Sequence, residues 1–120
     1  KRDRIRGRGV PPAAALFHGF SDPTRLAILR HLATGEHKVR ELTEHLGLAQ
    51  STVSAHLACL AGCGLVASRP VGRASLYALA AEPELLQVLA AAERLLTVTG
   101  HAVELCPHSG TPGPDGPAAA

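Results

Sequence analysis

Aromatic residues are almost missing from this chain, which has two Phe, one Tyr and no Trp in 120 positions. Since 46% of the residues are still apolar, the core has to be assembled from Leu, Val, Ile and Ala. That composition favours packed helices and suffices for one domain. No stretch approaches the roughly 20 consecutive apolar residues of a membrane-crossing helix. The Arg-rich beginning also lacks the apolar centre of a secretory signal, so a soluble, cytoplasmic protein without a membrane partner is expected. Cysteine occurs only three times. An odd count excludes a complete set of internal disulfides, and in a reducing compartment the thiols read as metal ligands, redox sensors or core fillers. Net charge is small as well, formally +2, but unevenly spread: Lys1, Arg2, Arg4, Arg6 and Arg8 against Asp3 leave +4 on the first eight residues and −2 on the rest. A uniformly basic coat for nucleic acid is thereby excluded, and any contact with DNA has to come from local clusters. There is also no nucleophile elbow, phosphate loop or carboxylate pair set for acid–base work, which argues against an enzyme.

What is present is mostly helical period. Residues 1–12 are basic and broken by Gly and Pro, and read as a flexible arm. From Pro12 the run AAALFHGF suggests a short helix with Leu16, Phe17 and Phe20 apolar. A strong start signal follows in SDPTRLAILRHLATG, with Asp22 as cap, Pro23 at the first helical position, Leu26, Leu29 and Leu32 at helical spacing, and Gly35 as stop. KVRELTEHLG repeats Val39, Leu42 and Leu46, and Gly47 suits a left-handed cap. After Leu48, Ala49 and Gln50 the period resumes in STVSAHLACLAGCG. Val53, Leu57 and Leu60 fall on one face, and Ser51, Thr52, Ser54, Ala55 and His56 largely on the other. Residues 65–79 change to a strand period and predict a β-hairpin turning around Pro70, Val71, Gly72 and Arg73. Glu82 to Gly100 returns to helix through Leu85, Leu86, Leu89, Ala92, Leu96 and Val98 or Thr99. Residues 101–120 read as a tail, disordered after about residue 109, where Gly and Pro dominate.

Two short helices joined by a tight turn, then a hairpin, then a helix, make a winged helix-turn-helix over 13–100: mainly α (α+β), about five helices plus a wing. In such a unit the second helix of the pair fills a major groove, and its first polar residues meet base edges and phosphates. Gln50, Ser51, Thr52, Ser54 and His56 are the expected readers of operator double-stranded DNA. Arg40, Arg69 and Arg73 are the expected phosphate partners, because a planar guanidinium matches phosphate oxygens.

DPTRLAILRHL, VRELTEHLGLAQSTVSAHLACLAGCGLV and VGRASLYAL together resemble the ArsR/SmtB family of metal-responsive repressors over about residues 13–100. Ser51 to Leu57, as S-x-V-S-x-H-L, matches the family's recognition helix. The resemblance implies a homodimer formed by the first and last helices, which reads two half-sites and leaves the operator when an inducer binds. Ala49 departs from the pattern, since relatives often carry a Ser or Thr cap there, and losing such a cap costs about 1 kcal/mol.

The inducer is read from the ligand set. An arsenic-type thiolate pair would need Cys near residues 39–43, and KVREL has none. A zinc, cobalt or nickel site in the last helix finds its second half in His101 and Glu104, but LQVLAA offers no Asp or His for the first. Cys59 and Cys63 stand four apart at the end of the recognition helix, so their Cβ atoms lie about 5–6 Å apart on one face. That is too wide for an easy disulfide, yet two thiolates can converge on one metal. Cys106 in the tail is the candidate third sulfur, and a soft three-sulfur set selects Cd(II) or Pb(II), with Zn(II) as a further candidate. This arrangement resembles the CmtR-type cadmium/lead sensors of the family. The resemblance implies that Cys59 and Cys63 of one subunit bind with Cys106 of the other. His101 and His108 are candidates for a fourth ligand. No organic cofactor is expected. The alternative within the same fold is a repressor whose thiols answer to oxidation.

Overall fold

The computed structural model describes residues 9–100. Their elements run in the order α1 (Val10–Gly19), α2 (Pro23–Leu32), β1 (His37–Lys38), α3 (Val39–Leu46), α4 (Gln50–Gly62), β2 (Val66–Val71), β3 (Ala74–Leu79) and α5 (Glu82–Val98). This is the expected winged helix-turn-helix: α3 and α4 form the helix pair, and β2 with β3 the wing. No helix among the described residues is long and apolar enough to cross a membrane. The chain divides into two compact units, Lys1–Ala80 and Ala81–Ala120.

The first unit begins with a correction. α1 takes in Val10, Pro11 and Pro12, which fall in the arm in the sequence-based expectation. Prolines in a first helical turn forfeit no hydrogen bond, because the N–H groups there have no acceptor within the helix. α2 starts as anticipated, Asp22 Oδ2 accepting from the backbone N–H groups of Thr24 at 2.8 Å and Arg25 at 3.1 Å. α3 is opened by Glu41, whose Oε1 accepts from the Lys38 N–H at 2.7 Å, and closed by Gly47 at φ 67, whose N–H reaches the Thr43 carbonyl. α4 follows with no side-chain cap from Ala49.

These helices meet through Ile28 and Leu29 of α2, Leu42 of α3, and Val53, Leu57 and Leu60 of α4, all wholly buried. Full burial of one such side chain contributes about 1.5–3 kcal/mol, so this aliphatic cluster fixes the angle of the helix pair without aromatic help. The sheet has three antiparallel strands in the order β1-β3-β2. β1 is a two-residue addition that a hairpin pattern does not foretell: His37 pairs with Tyr77 and Lys38 with Leu76. In the wing, Val71 faces Ala74 across Gly72 and Arg73, and Gly72 takes φ 62, the conformation such a two-residue turn asks of its first residue.

In the second unit, α5 buries Leu85, Leu89 and Glu93 at successive i, i+4 steps, with Ala92 and Leu96 half-buried beside them. Val98 does not extend this stripe as expected. It is 83% exposed, since two residues beyond Leu96 the helix has turned through about 200°.

One buried cation organises the first unit. Arg25 retains 9% of its exposure, and its Nε donates to the Gly19 carbonyl at 3.1 Å and an Nη to the His18 carbonyl at 2.9 Å. Its other Nη lies 3.4 Å from Nδ1 of His56 on α4. Arg25 being a donor only, this contact assigns the imidazole proton to Nε2, which sits 3.8 Å from Asp22 Oδ2. Arg25 thus satisfies the carbonyls that end α1 and touches the middle of α4. Arg25→Ala should cost about 1–3 kcal/mol in denaturant unfolding, because it strands the buried Gly19 carbonyl, whereas the His18 carbonyl keeps the hydrogen bonds from the Ser21 N–H and hydroxyl. The hydrogen bond from the Arg25 N–H, together with that from Thr24 and the nearby cationic groups, holds the Asp22 carboxyl below the usual carboxylate range despite partial desolvation. The stabilisation from Asp22 is therefore complete above the unfolded-state value and is lost as pH falls through the lower folded-state value. Asp22→Asn should flatten the acid limb of a Tm-against-pH profile.

Candidate nucleic-acid interface and thiol pair

At its open face the helix pair meets the wing in a groove of about 410 Å³. Lys38 and Arg40 enter it from the start of α3, Gln50 from the start of α4, and Arg73 and Tyr77 from the wing, and none of the lining residues is acidic. Three cationic groups therefore share one concave surface on a chain whose residues after the arm carry a net −2. Arg40, Gln50 and Arg73 were expected at a nucleic-acid interface, whereas Lys38 and Tyr77 were not. Their arrival depends on β1, which lays Lys38 opposite Leu76 next to the wing. Lys38 had one legible signal, its place two residues before Arg40 at a helix start. Tyr77 had none.

The other expected readers divide. Ser51, Thr52 and Ser54 are exposed on the first turns of α4, opposite the buried Val53 and Leu57. His56 is half-buried and engaged with Arg25, so it helps to fix α4 in place. Arg69 stands on the exposed side of β2 and is held by Glu36 through two hydrogen bonds of 2.9 Å, Nε and an Nη each meeting one carboxylate oxygen. That fork lowers the Glu36 pKa and raises that of Arg69. Phosphate would have to compete with a carboxylate already in place.

Cys59 and Cys63 are free thiols, both half-buried. Gly62 does not fray the helix between them: the Cys63 N–H donates to the Cys59 carbonyl at 3.0 Å. The end is then closed twice over, Gly64 N–H to the Ala61 carbonyl and Leu65 N–H to the Leu60 carbonyl, with Gly64 at φ 79. This is the Schellman pattern, and it keeps both thiols on one face at i and i+4. The Cys63 Sγ donates to the Ala15 carbonyl of α1 at 3.3 Å. A Cβ on Gly19 would come within 3.3 Å of that sulfur and 2.9 Å of Leu65 Cδ1, so the absence of a side chain there lets α1 approach the thiol. Burial, followed by the adjacent Cys59, pushes the Cys63 thiol pKa above its ordinary value. Among the described residues no three His, Cys, Asp or Glu side chains are assembled to hold a metal ion. Two thiols at one helix end supply part of a soft donor set, and Cys106, with His101, Glu104 and His108, lies outside the described residues.

Residues 22–68 match the arsR family of bacterial regulatory proteins. The transcriptional regulator CmtR of Mycobacterium tuberculosis is 43% identical over 106 residues, covering 77% of this chain and 88% of that protein. A probable mercury resistance operon repressor of Streptomyces lividans is 34% identical over 93 residues, covering 78% and 74%. The solution structure of a homodimeric winged helix-turn-helix DNA-binding domain from Mycobacterium bovis is similar at TM-score 0.63 and 32% identity, covering 73% of this chain and 85% of that one. The NMR structure of the M. tuberculosis cadmium sensor CmtR is similar at TM-score 0.54 and 43% identity, covering 63% and 82%. With this fold, this helix pair and these relatives, the chain belongs to the arsR family of bacterial regulatory proteins.

Proposed function

We propose that this protein is a cytoplasmic, homodimeric repressor that leaves its operator when Cd(II) or Pb(II) is captured by Cys59 and Cys63 of one subunit with Cys106 of the other. The observation that carries the metal half is the Cys59/Cys63 pair, kept on one face by a helix end that is fully hydrogen-bonded. The likeness to a cadmium sensor and to a mercury resistance repressor supports a soft metal, and the thiol chemistry selects it. Apolar side chains left exposed on α1 (Val10, Phe17) and on α5 (Leu95, Val98) support a dimer through those two helices, as does the homodimeric relative.

Operator contact rests on Lys38, Arg40, Gln50 and Arg73 around the groove, with Ser51, Thr52 and Ser54 on the exposed turns of α4. Arg69 joins them at the cost of its pairing with Glu36, and His56 acts from behind by fixing the helix. The path to release starts at Cys63. As a thiolate it can no longer donate to the Ala15 carbonyl, so the tie between the end of α4 and α1 is lost. The same stretch of α1 is what Arg25 grips while touching His56, so a shift at Cys63 reaches the reading helix over a short route. A bound soft ion supplies the pull that keeps both sulfurs deprotonated.

Arg73→Ala or Lys38→Ala should weaken operator binding and lower the salt slope by about 1 each. Arg69→Ala should change both less, in fluorescence-anisotropy titrations at several salt concentrations. Adding Cd(II) to the reduced protein should produce ultraviolet sulfur-to-metal charge-transfer absorption and release a labelled operator, and Cys59→Ser or Cys63→Ser should abolish both. The thiol of Cys63 is protonated at neutral pH, so apparent Cd(II) affinity should rise by about tenfold per pH unit for each proton displaced. If both serine variants still release DNA on addition of cadmium, the thiol site is wrong. Release by peroxide reversed by reductant, with no response to metal, would establish the oxidation-sensing alternative.

A further inference from the structure

Of the four cations brought to the groove and the wing, one is already engaged. Lys38, Arg40 and Arg73 have no ion-pair partner among the described residues, whereas Arg69 is held by Glu36. The two residues stand 33 apart in the chain, Glu36 one residue before β1 and Arg69 midway along β2. Sheet order explains how they meet. Arg69 lies opposite Leu76 of β3, and Leu76 opposite Lys38 of β1, so the pair spans the central strand. Two strand spacings amount to about 9–10 Å, which keeps Arg69 within about one Debye length of Lys38 and the groove.

The fork occupies Nε and one Nη, an edge through which a guanidinium grips a phosphate with two parallel hydrogen bonds, and it balances the charge that a phosphate would neutralise. Both side chains remain open to solvent, Arg69 at 60% and Glu36 at 40% exposure. A pair so exposed adds little to stability, so its main effect is on the number of cations left to meet DNA. Affinity for a duplex of arbitrary sequence follows the number of phosphates neutralised, each adding about 0.9 to the slope of log K against log salt. Glu36 withholds one such contact on every subunit. DNA that offers only phosphate contacts loses most by this, whereas a preferred duplex also gains base contacts at Gln50 and the exposed first turns of α4.

We propose that Glu36 is a specificity-determining residue, which by pairing with Arg69 keeps the wing from gripping DNA of arbitrary sequence. This rests on the reading of groove and wing as a DNA-binding surface. The test measures binding of the full chain to a fluorescent random-sequence duplex of about 30 bp, three helical turns, at several salt concentrations. Glu36→Gln keeps the shape of the side chain and removes its charge. It should tighten binding about three- to tenfold per subunit in contact at about 0.1 M salt and steepen the salt slope by about 0.9. With Arg69→Ala in the same chain the slope should return to that of the unmodified protein, because the released cation is gone. Circular dichroism melts verify that each variant is folded. An unchanged slope or weaker binding in Glu36→Gln overturns the proposal and leaves the pair as a strap across the sheet. If Glu36→Gln steepens the slope as much in the Arg69→Ala chain, the proposal is equally overturned, since Glu36 then acts as a plain negative charge. If the unmodified chain binds no duplex even at low salt, the reading of the surface falls and the proposal with it, an outcome distinct from the other two.

Discussion

The guanidinium of Arg25 is the point through which the first unit communicates. It is buried beside α1, belongs to α2 and touches α4, so three helices depend on one planar group. Only a side chain with several fixed donors can serve the Gly19 carbonyl, the His18 carbonyl and an imidazole nitrogen together, and an ammonium would match them one at a time. The cation is tolerable in that position because its acceptors converge and Asp22 is close by. No buried side-chain nitrogen or oxygen among the described residues lacks a partner. The cap of α2, the end of α1 and the seat of α4 are therefore one electrostatic assembly.

The aliphatic core sets a different constraint. Leu, Ile and Val side chains fill space without directional demands, so the helix pair is held by volume and its orientation refined by polar ties at the rim. That division explains how residues 9–100, whose formal charges sum to zero, can present a cationic groove. The charges that matter are placed by backbone pairing, Lys38 through β1 and Arg73 through the wing turn, while the core beneath remains neutral. Nucleic-acid affinity built this way depends on local geometry more than on overall charge.

Much of this was legible in the chain. Asp22-Pro23 fixed the start of α2, Gly47 the end of α3, and the spacing of Val53, Leu57 and Leu60 the buried face of α4, because caps and period are local properties. Cys59 and Cys63 could be put on one face for the same reason. What stayed hidden was long-range. Glu36 claims Arg69 across 33 residues, Arg25 claims His56 across 31, and β1 exists only because β3 is there to pair with it. The exposed Val98 and the helical Pro11 and Pro12 show the remaining weakness, that element ends are decided by balances of a single turn.

Pro70 has a role in what the wing avoids. The two-residue turn makes Val71 and Ala74 the hydrogen-bonded closing pair, so the next pair, Pro70 with Ser75, is a non-bonded one and the proline nitrogen points to the outer side of β2. That side is an open edge of the sheet, where a bare N–H would invite another strand to dock. With a tertiary nitrogen there, and a partner edge only two residues long on the other flank, the sheet ends after three strands. The proline thus removes the donor nearest the tip of that edge, which makes β2 a poorer template for a further strand.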